Sequence, residues 1–389
     1  MKPFKYLLFQ FYLLLCFNSH AQSIDGILTS GSKQNNIQTA VPFLLIAPQP
    51  RAGAMGNVGV ALEAEANGAS MNTAALAFLS DSNYGVSMSY SPWLKRLVSD
   101  MSLTYLNGYF RLDDRNTVSA SLRYFSIGTV NFTDDNFQDL GSYSPNEFAI
   151  DIGYSRKLGP EFALGGNVRY INSNLLGGGS ISRDAVGAGH AISADISGLF
   201  KTAVSLFASD GVWSVGLNVS NIGTKIVYGN TGKSYFLPGN LKLGSAIKFN
   251  GEENSLTIAL DLNKLLVPTQ PIYDLEGHIY KGKDPDRSVP SGIFGSFADA
   301  PGGFPEEIKE IGLSTGFEFE FKKRLFLRGG YNYQHPEKGN LSYLTTGIGI
   351  KIQRMCLDFS YLISSSSSNP IGNTLRFGLS AEFGGSRVR

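Results

Sequence analysis

The sequence predicts an all-β protein: a single transmembrane antiparallel β-barrel of about fourteen strands with an N-terminal plug segment in its lumen. Three observations point there. Apolar and polar residues alternate at period two from Asn83 to near the C-terminus. Most alternating segments reach the ~9–11 residues that a tilted strand needs to cross a bilayer, whereas globular strands average about 5–6. The links between them sort into short and long by parity, as turns and loops do on the two sides of an outer membrane.

The N-terminal stretch "MKPFKYLLFQFYLLLCFNSHAQ" has the form of a secretory signal. Lys2 and Lys5 make the basic region, Tyr6 to Phe17 the apolar core, and Ser19-His20-Ala21 the small-residue cleavage site, so residues 1–21 are expected to be removed. Lipoprotein processing at Cys16 is opposed by bulky Leu14 and Leu15, where small residues are usual. Of two cysteines, cleavage leaves Cys356 alone. No intramolecular disulfide then forms, and stability has to come from sheet and packing. Beyond this segment no apolar run approaches the ~18 residues of a spanning helix. A net charge of +1 with no local basic stripe argues against a nucleic-acid partner.

Strands are predicted near 84–91, 101–111, 116–127, 145–157, 161–172, 189–201, 212–222, 239–250, 254–266, 309–321, 324–333, 341–352, 355–363 and 373–384. "EFAIDIGYS" sets Phe148, Ile150, Ile152 and Tyr154 against Ala149, Asp151, Gly153 and Ser155. "STGFEFEFK" sets Phe317, Phe319 and Phe321 against Glu318 and Glu320. No helical interlude separates the strands, which excludes a parallel α/β arrangement.

The second, fourth, eighth, tenth and twelfth links are tight, around "DDRN", "GP", "GEE", "KK" and "RM". The third, fifth, seventh, ninth and thirteenth are long and rich in Gly, Ser and Pro; the ninth, 267–308, is the longest. The first and eleventh are intermediate, and the sixth, "TAVSLFASDG", is the one even link that is not short. A soluble sandwich has no reason to sort links in this way. Short turns read as periplasmic, long loops as extracellular, and an even strand number places both termini on the periplasmic side.

The apolar strand faces carry no charge, as contact with lipid requires. Their opposite faces carry Arg123, Asp151, Arg169, Asp195, Lys242, Asp261, Glu318, Glu320, Arg328, Asp358 and Arg376. Both signs occur, so paired lumen charges are expected rather than an ion-selective ring. Tyr84, Tyr90, Tyr109, Tyr154, Tyr170, Trp213, Tyr331 and Tyr343 sit at or near strand ends, as aromatic girdles do.

A barrel of about fourteen strands is too wide for its own side chains to fill. Residues 22–82, ahead of the barrel at 83–389, are placed to fold inward from the periplasmic side as a plug. Its expected residues are Val41, Phe43, Leu44, Leu45, Ile46, Arg51, Gly53, Met55 and Gly56. Val41 to Ala47 form an apolar stopper, and the small residues from Ala52 to Ala61 let the backbone approach the wall. Gly53, Gly56 and Gly59 permit turns with φ > 0. The wall pairs Gly165-Gly166 and Gly329-Gly330 read either as weak points for lateral exit or as tight packing against the plug.

Chemistry is sparse. His190, His278 and His335 lie in separate segments without metal-ligand spacing. "GLSTG" at 312–316 matches a nucleophile-elbow pattern, but Ser314 falls inside an alternating strand rather than at a strand–turn–helix corner. "GAMGNVG" lacks the preceding strand and following helix of a dinucleotide fingerprint. No cofactor and no enzyme activity are expected.

The stretch "VPFLLIAPQPRAGAMGNVGVALEAEANGASMNTAALAF" resembles the N-terminal region of the PorV family, outer-membrane components of the type IX secretion system of Bacteroidetes-type bacteria. More distantly it resembles the FadL family of long-chain fatty-acid transporters. Val41–Pro48 and Arg51–Val60 carry the likeness, with a weaker tail at Asn72–Leu76. The common Asn-Pro-Ala is here Asn72-Thr73-Ala74, and the chain continues past Phe383 as "GGSRVR" instead of finishing on an aromatic. The resemblance implies a fourteen-stranded plugged barrel in outer-membrane lipid, without enzyme activity. Its implied partners are a very large translocon barrel, cargo proteins with C-terminal signal domains, and an attachment complex containing a sortase-like protease. Those contacts are expected in the ninth loop, where Ile293, Phe294, Phe297 and Phe304 stand among glycines and prolines. The alternative is passive transport of hydrophobic small molecules.

Overall fold

The computed structural model describes residues 35–79, 82–95, 98–133, 137–175, 187–206, 209–229, 232–274, 276–364 and 371–384. The expected signal segment and the glycine-rich tip at 177–180 lie outside the described residues. Fourteen strands pair in chain order into one closed barrel. They are β1 (Tyr84–Pro92), β2 (Ser102–Arg111), β3 (Asn116–Ser126), β4 (Asn146–Lys157), β5 (Phe162–Asn174), β6 (Gly189–Leu206) and β7 (Ser209–Gly223). The second half comprises β8 (Asn240–Asn250), β9 (Ser255–Leu265), β10 (Gly312–Phe321), β11 (Leu325–Tyr333), β12 (Tyr343–Ile352), β13 (Met355–Ser364) and β14 (Leu375–Phe383). All pairings are antiparallel, and β1 closes on β14 from Tyr84 opposite Phe383 to Tyr90 opposite Phe377.

The wall is apolar outside and polar inside. Ile152, Val168 and Ile196 are 69%, 61% and 68% exposed, while their chain neighbours Asp151, Arg169 and Asp195 are 7%, 6% and 7% exposed. Period two puts each such pair on opposite faces. Against hydrocarbon this arrangement is favourable, because the charges meet one another within the barrel and the aliphatic groups meet lipid. No helix among the described residues is long and apolar enough to cross a membrane.

The parity of the links is stricter than the sequence suggested. β6 and β7 run past their expected ends and pair up to Leu206 opposite Ser209. The sixth link is therefore short like the other even ones, because "TAVSLFASDG" belongs mostly to the strands. Lys322 and Lys323, both at positive φ, make the tenth turn, and Gln353 makes the twelfth in the same way. At the second, Asp113 Oδ1 accepts from the N–H groups of Arg115 and Asn116 at 2.7 and 2.8 Å. The long links carry small paired strands, at Val130–Thr133 with Asp139–Tyr143, Ile226–Val227 with Ser234–Tyr235, and Ile272–Tyr273 with Ile279–Lys281.

Two expected girdle residues belong elsewhere. Tyr109 and Tyr343 are buried because strand parity turns them inward, where they hydrogen-bond to Ser82 and Asn57. Tyr84, Tyr90, Tyr154, Tyr170 and Trp213 face outward as expected.

Residues 40–79 pack against the inward side chains of strands around the whole barrel, in short turns rather than long elements. Pro42–Leu45, Gly68–Ser70 and Thr73–Phe78 are 3-10 turns and Pro50–Ala54 is one turn of α-helix. Prolines start two of these turns, where a missing N–H costs nothing. Asn72 caps a third, its Oδ1 accepting from Ala74 N at 3.0 Å. The path of this segment departs from expectation. Ala40 N donates to Phe236 O in the seventh link at 2.9 Å, and Asn35 N to Glu337 O in the eleventh, also at 2.9 Å. Its upstream end therefore lies at the long-loop end of the barrel. Phe78, at the downstream end, lies beneath the ammonium groups of Lys157 and Lys201, beside the short turns.

Candidate functional site

Two regions gather the residues singled out by sequence, the segment inside the barrel and the face made by the long loops. In the first, Val41, Phe43 and Leu44 are buried in an apolar cluster with Trp93, Leu103, Phe125, Ile171 and Ile226 at the long-loop end. Phe43 and Phe125 stack with their centroids 5.9 Å apart. Leu45 turns out of this group and is exposed, and Ile46 is half-buried. Consecutive residues in a 3-10 turn point in different directions, so the five cannot all enter one cluster.

Arg51 anchors the next stretch. Its Nη2 donates to Glu318 Oε1 at 2.7 Å, its Nε to Glu318 Oε2 at 3.0 Å, and its Nη1 to Glu63 O at 3.1 Å. Glu318 also accepts from Arg328 Nε at 2.6 Å, and Arg328 Nη1 reaches Asp358 Oδ1 at 2.5 Å. The result is an alternating chain of charges that ties the segment to three strands of the wall. Asp261 holds the backbone directly, its Oδ2 accepting from Gly59 N at 2.8 Å and Val60 N at 3.2 Å. Thr345 Oγ1 donates to Ala54 O and accepts from Gly56 N, both at 2.8 Å. In the sequence Asp261 reads only as a lumen charge and Thr345 as an ordinary polar-face position, with nothing to mark either as a backbone partner of the segment.

Glycines in the wall make room for that backbone. A Cβ on Gly216 would lie 2.0 Å from Val60 O, one on Gly316 2.4 Å from Met55 O, and one on Gly330 2.2 Å from the Met55 carbonyl carbon. One on Gly165 would lie 2.5 Å from Ala74 N. At both glycine pairs the inward member packs against the segment. Within the segment only Gly56 has the positive φ expected of all three glycines, at 70°. Gly53 sits inside the helical turn and leaves room for the Arg376 side chain, whose Nη1 a Cβ would approach to 2.1 Å. Gly59 gives way to the Met71 side chain.

Among the described residues, strand pairing is continuous around the barrel, with one irregularity between β6 and β7 at Ala194–Ile196. There Asn221 takes a φ of 60°, and its N–H donates to Asp195 Oδ1 at 2.7 Å. Arg169 bridges Asp151, Asp195 and Asn221, so the bulge is closed by side chains rather than open. Below the segment, toward the short turns, a cavity of about 560 Å³ is lined by Arg51, Glu63, Glu65, Lys201, Lys248 and Glu318 among others.

The loop face is braced by ion pairs. Within the ninth link, Val289–Gly295 and Phe304–Lys309 are helical. Lys264 Nζ reaches Glu307 at 3.1 Å and Glu310 at 2.7 Å, while Lys338 Nζ from the eleventh link reaches Glu306 at 2.6 Å and Glu310 at 3.0 Å. Arg287 pairs with Asp299 at 2.6 Å. Burial pushes the Glu306 carboxyl up, but Lys338, the Gly302 N–H and Asn35 outweigh it and hold it below its usual range. Burial pushes Asp299 above its usual range, against the Thr269 N–H and Arg287. On this frame Phe294, Phe297 and Phe304 are 80%, 49% and 75% exposed, with Ile293 half-buried beside them. The helical turn at "PEEIKE" was the available signal for the acidic half of this brace.

Two other features make local contacts. Asp274, Glu276 and His278 cluster at an exposed hairpin tip, where Asp274 Oδ1 accepts from Glu276 N and His278 N and so serves the turn. Ser314 lies within β10, and its hydroxyl donates to Asn332 Oδ1 at 2.9 Å.

Comparisons with known proteins add a family. A family model described as "Type IX secretion system protein PorV" matches residues 29–272. No curated protein matches the chain. Among solved structures, it is similar to a TodX deltaS2S3 mutant monoaromatic hydrocarbon channel, with 13% identity, 85% of this chain and 96% of the other covered, and a TM-score of 0.49. It is similar to the Ralstonia pickettii toluene transporter TbuX at 12% identity, 86% and 98% coverage, TM-score 0.47. It is also similar to the Pseudomonas putida toluene transporter TodX at 15% identity, 90% and 98% coverage, TM-score 0.46.

Proposed function

The chain belongs to the PorV family of type IX secretion system proteins, and on that premise we propose that it is a docking component that binds the large translocon barrel and receives cargo proteins through their C-terminal signal domains. It then hands them to the attachment complex with its sortase-like protease. The long loops face the cell exterior, and the segment from 40 to 79 acts as a plug that keeps the barrel from conducting. The observation that carries the docking reading is the set of exposed rings Phe294, Phe297 and Phe304 on a loop whose base is fixed by Lys264 and Lys338. Aromatic groups presented on a stiff frame lose little entropy on binding, which suits them to capture a partner.

The test replaces Phe294, Phe297 and Phe304 with serine together and leaves the charged base intact. Translocon and cargo then fail to co-purify in mild detergent, while the barrel still inserts and migrates in its folded form. Undiminished capture by the triple variant refutes the docking site. Passive transport of hydrophobic small molecules is the second reading. It fits less well, because the cavity below the segment has Arg51, Glu63, Glu65, Lys201 and Lys248 interspersed among its apolar lining residues.

A further inference from the structure

We infer that the chain passes through its own barrel from one end to the other, so that the stretch at Asn36 is open to the medium on the long-loop face while the barrel's closing seam begins on the opposite side. Two fixed points carry this. At the upstream point, Asn35 donates from its backbone to Glu337 O at 2.9 Å. Its Nδ2 donates to Gln270 O at 3.0 Å and to Glu306 Oε1 at 3.1 Å. With the Ala40–Phe236 bond at 2.9 Å, this end of the segment is held by the seventh, ninth and eleventh links, all on the long-loop side. Asn36 and Gln38 are exposed there, between half-buried Asn35, Ile37 and Thr39.

The downstream point is equally definite. Lys201 Nζ lies 4.3 Å from the Phe78 ring centroid, and Asn83 N donates to Phe383 O at 2.8 Å, beside the start of β1. Between the two points the segment bonds to wall residues on the inner face, among them Glu318, Asp261, Thr345 and Ser197. A closed ring of strands surrounds it on all sides. A chain entering at one rim and leaving at the other inside a closed ring is threaded, whatever turns it takes between. The even strand number fixes only where Tyr84 and Phe383 meet, and it says nothing of where the leader starts.

Threading has a physical use. The Asn35 side chain links the ninth loop to the leader, and Lys338 links the same Glu306 to the eleventh. The ninth loop is therefore joined by one side-chain hydrogen bond to a polypeptide that continues to the opposite rim.

The test compares three single cysteines in a background in which Cys16 and Cys356 are replaced by serine. Asn36→Cys probes the leader, Phe294→Cys the long-loop face, and Lys322→Cys the short-turn face. Intact cells are treated with a membrane-impermeant maleimide, and the treatment is repeated after the outer membrane is permeabilised; folded migration of each variant confirms insertion. We expect Asn36→Cys and Phe294→Cys to react in the same condition and Lys322→Cys in the other. Reaction of Asn36→Cys only alongside Lys322→Cys, or in neither condition, overturns the inference. Maleimide labelling is repeated on the purified protein in liposomes, where no partner can shield Phe294→Cys, so its outcome stands apart from the docking proposal.

Discussion

Arg51 and Glu318 share two parallel hydrogen bonds, at 2.7 and 3.0 Å, across the boundary between the inner segment and the wall. Arg51 is 9% exposed and Glu318 5%, so neither is fully solvated by water. Two-point contact between planar groups sets orientation as well as distance, which is what seats the segment at one height.

Arg51→Ala removes one of the two cations on Glu318 and leaves Arg328 as the other. The expected cost is about 2–4 kcal/mol, below the full penalty of a stranded buried charge. It should be visible as a lower denaturant midpoint in detergent. If the segment is the plug, the same variant in planar bilayers passes current that the parent blocks.

Gly330→Ala tests the packing of segment on wall, since the added methyl would lie 2.2 Å from the Met55 carbonyl carbon. Backbone cannot yield as a flexible side chain does, so about 1–3 kcal/mol of overpacking is expected. Gly159→Ala is the control, as nothing lies within 4 Å of its Cβ position. Hydrogen exchange in residues 50–60 should rise in the first variant and stay unchanged in the second.

Arg169→Met leaves Asp151 and Asp195 without their shared cation and removes the Arg169 contact at the bulge, where the Asn221 N–H still donates to Asp195. A loss of about 3–5 kcal/mol is expected for breaking a buried pair in this way. Double replacement of Asp151 and Asp195 by Asn alongside Arg169→Met should recover part of it, measured by the thermal midpoint of the folded gel species.

Acid should weaken the contacts made by Glu306 on the loop face, while the raised Asp299 works in the opposite direction. Glu306 titrates below its usual range in the folded protein, so its contribution is fully present above the ordinary glutamate value. It is lost as pH falls through the lowered folded value. Exchange protection at 304–310 should therefore hold from pH 8 down to about 5 and fall at more acid pH. Lys338→Met should flatten that dependence.

The wall was readable because its signal is local. Period two at Phe148–Tyr154 or Phe317–Phe321 is decided by each strand's own neighbours, lipid on one side and polar contacts on the other. Even the misjudged sixth link failed only in its bounds, since Ala203 to Leu206 alternate weakly. The inner segment was different. Its glycines and alanines showed close packing, but which glycine served a turn and which a neighbour depended on Arg376 and Met71, distant in sequence. Its direction was invisible for the same reason, resting on Asn35 finding Glu337. The aromatic rings of the ninth loop could be named from sequence, whereas the brace beneath them joins Lys264, Glu307, Glu310 and Lys338 across separate links.

A fit as close as that of Gly216 and Gly330 against the segment also constrains how the molecule is made. Side chains the size of Phe43 or Arg51 have no clearance to slide lengthwise through a finished ring. The strands are therefore expected to gather about the leader as about a mandrel, with the Tyr84–Phe383 seam closing last.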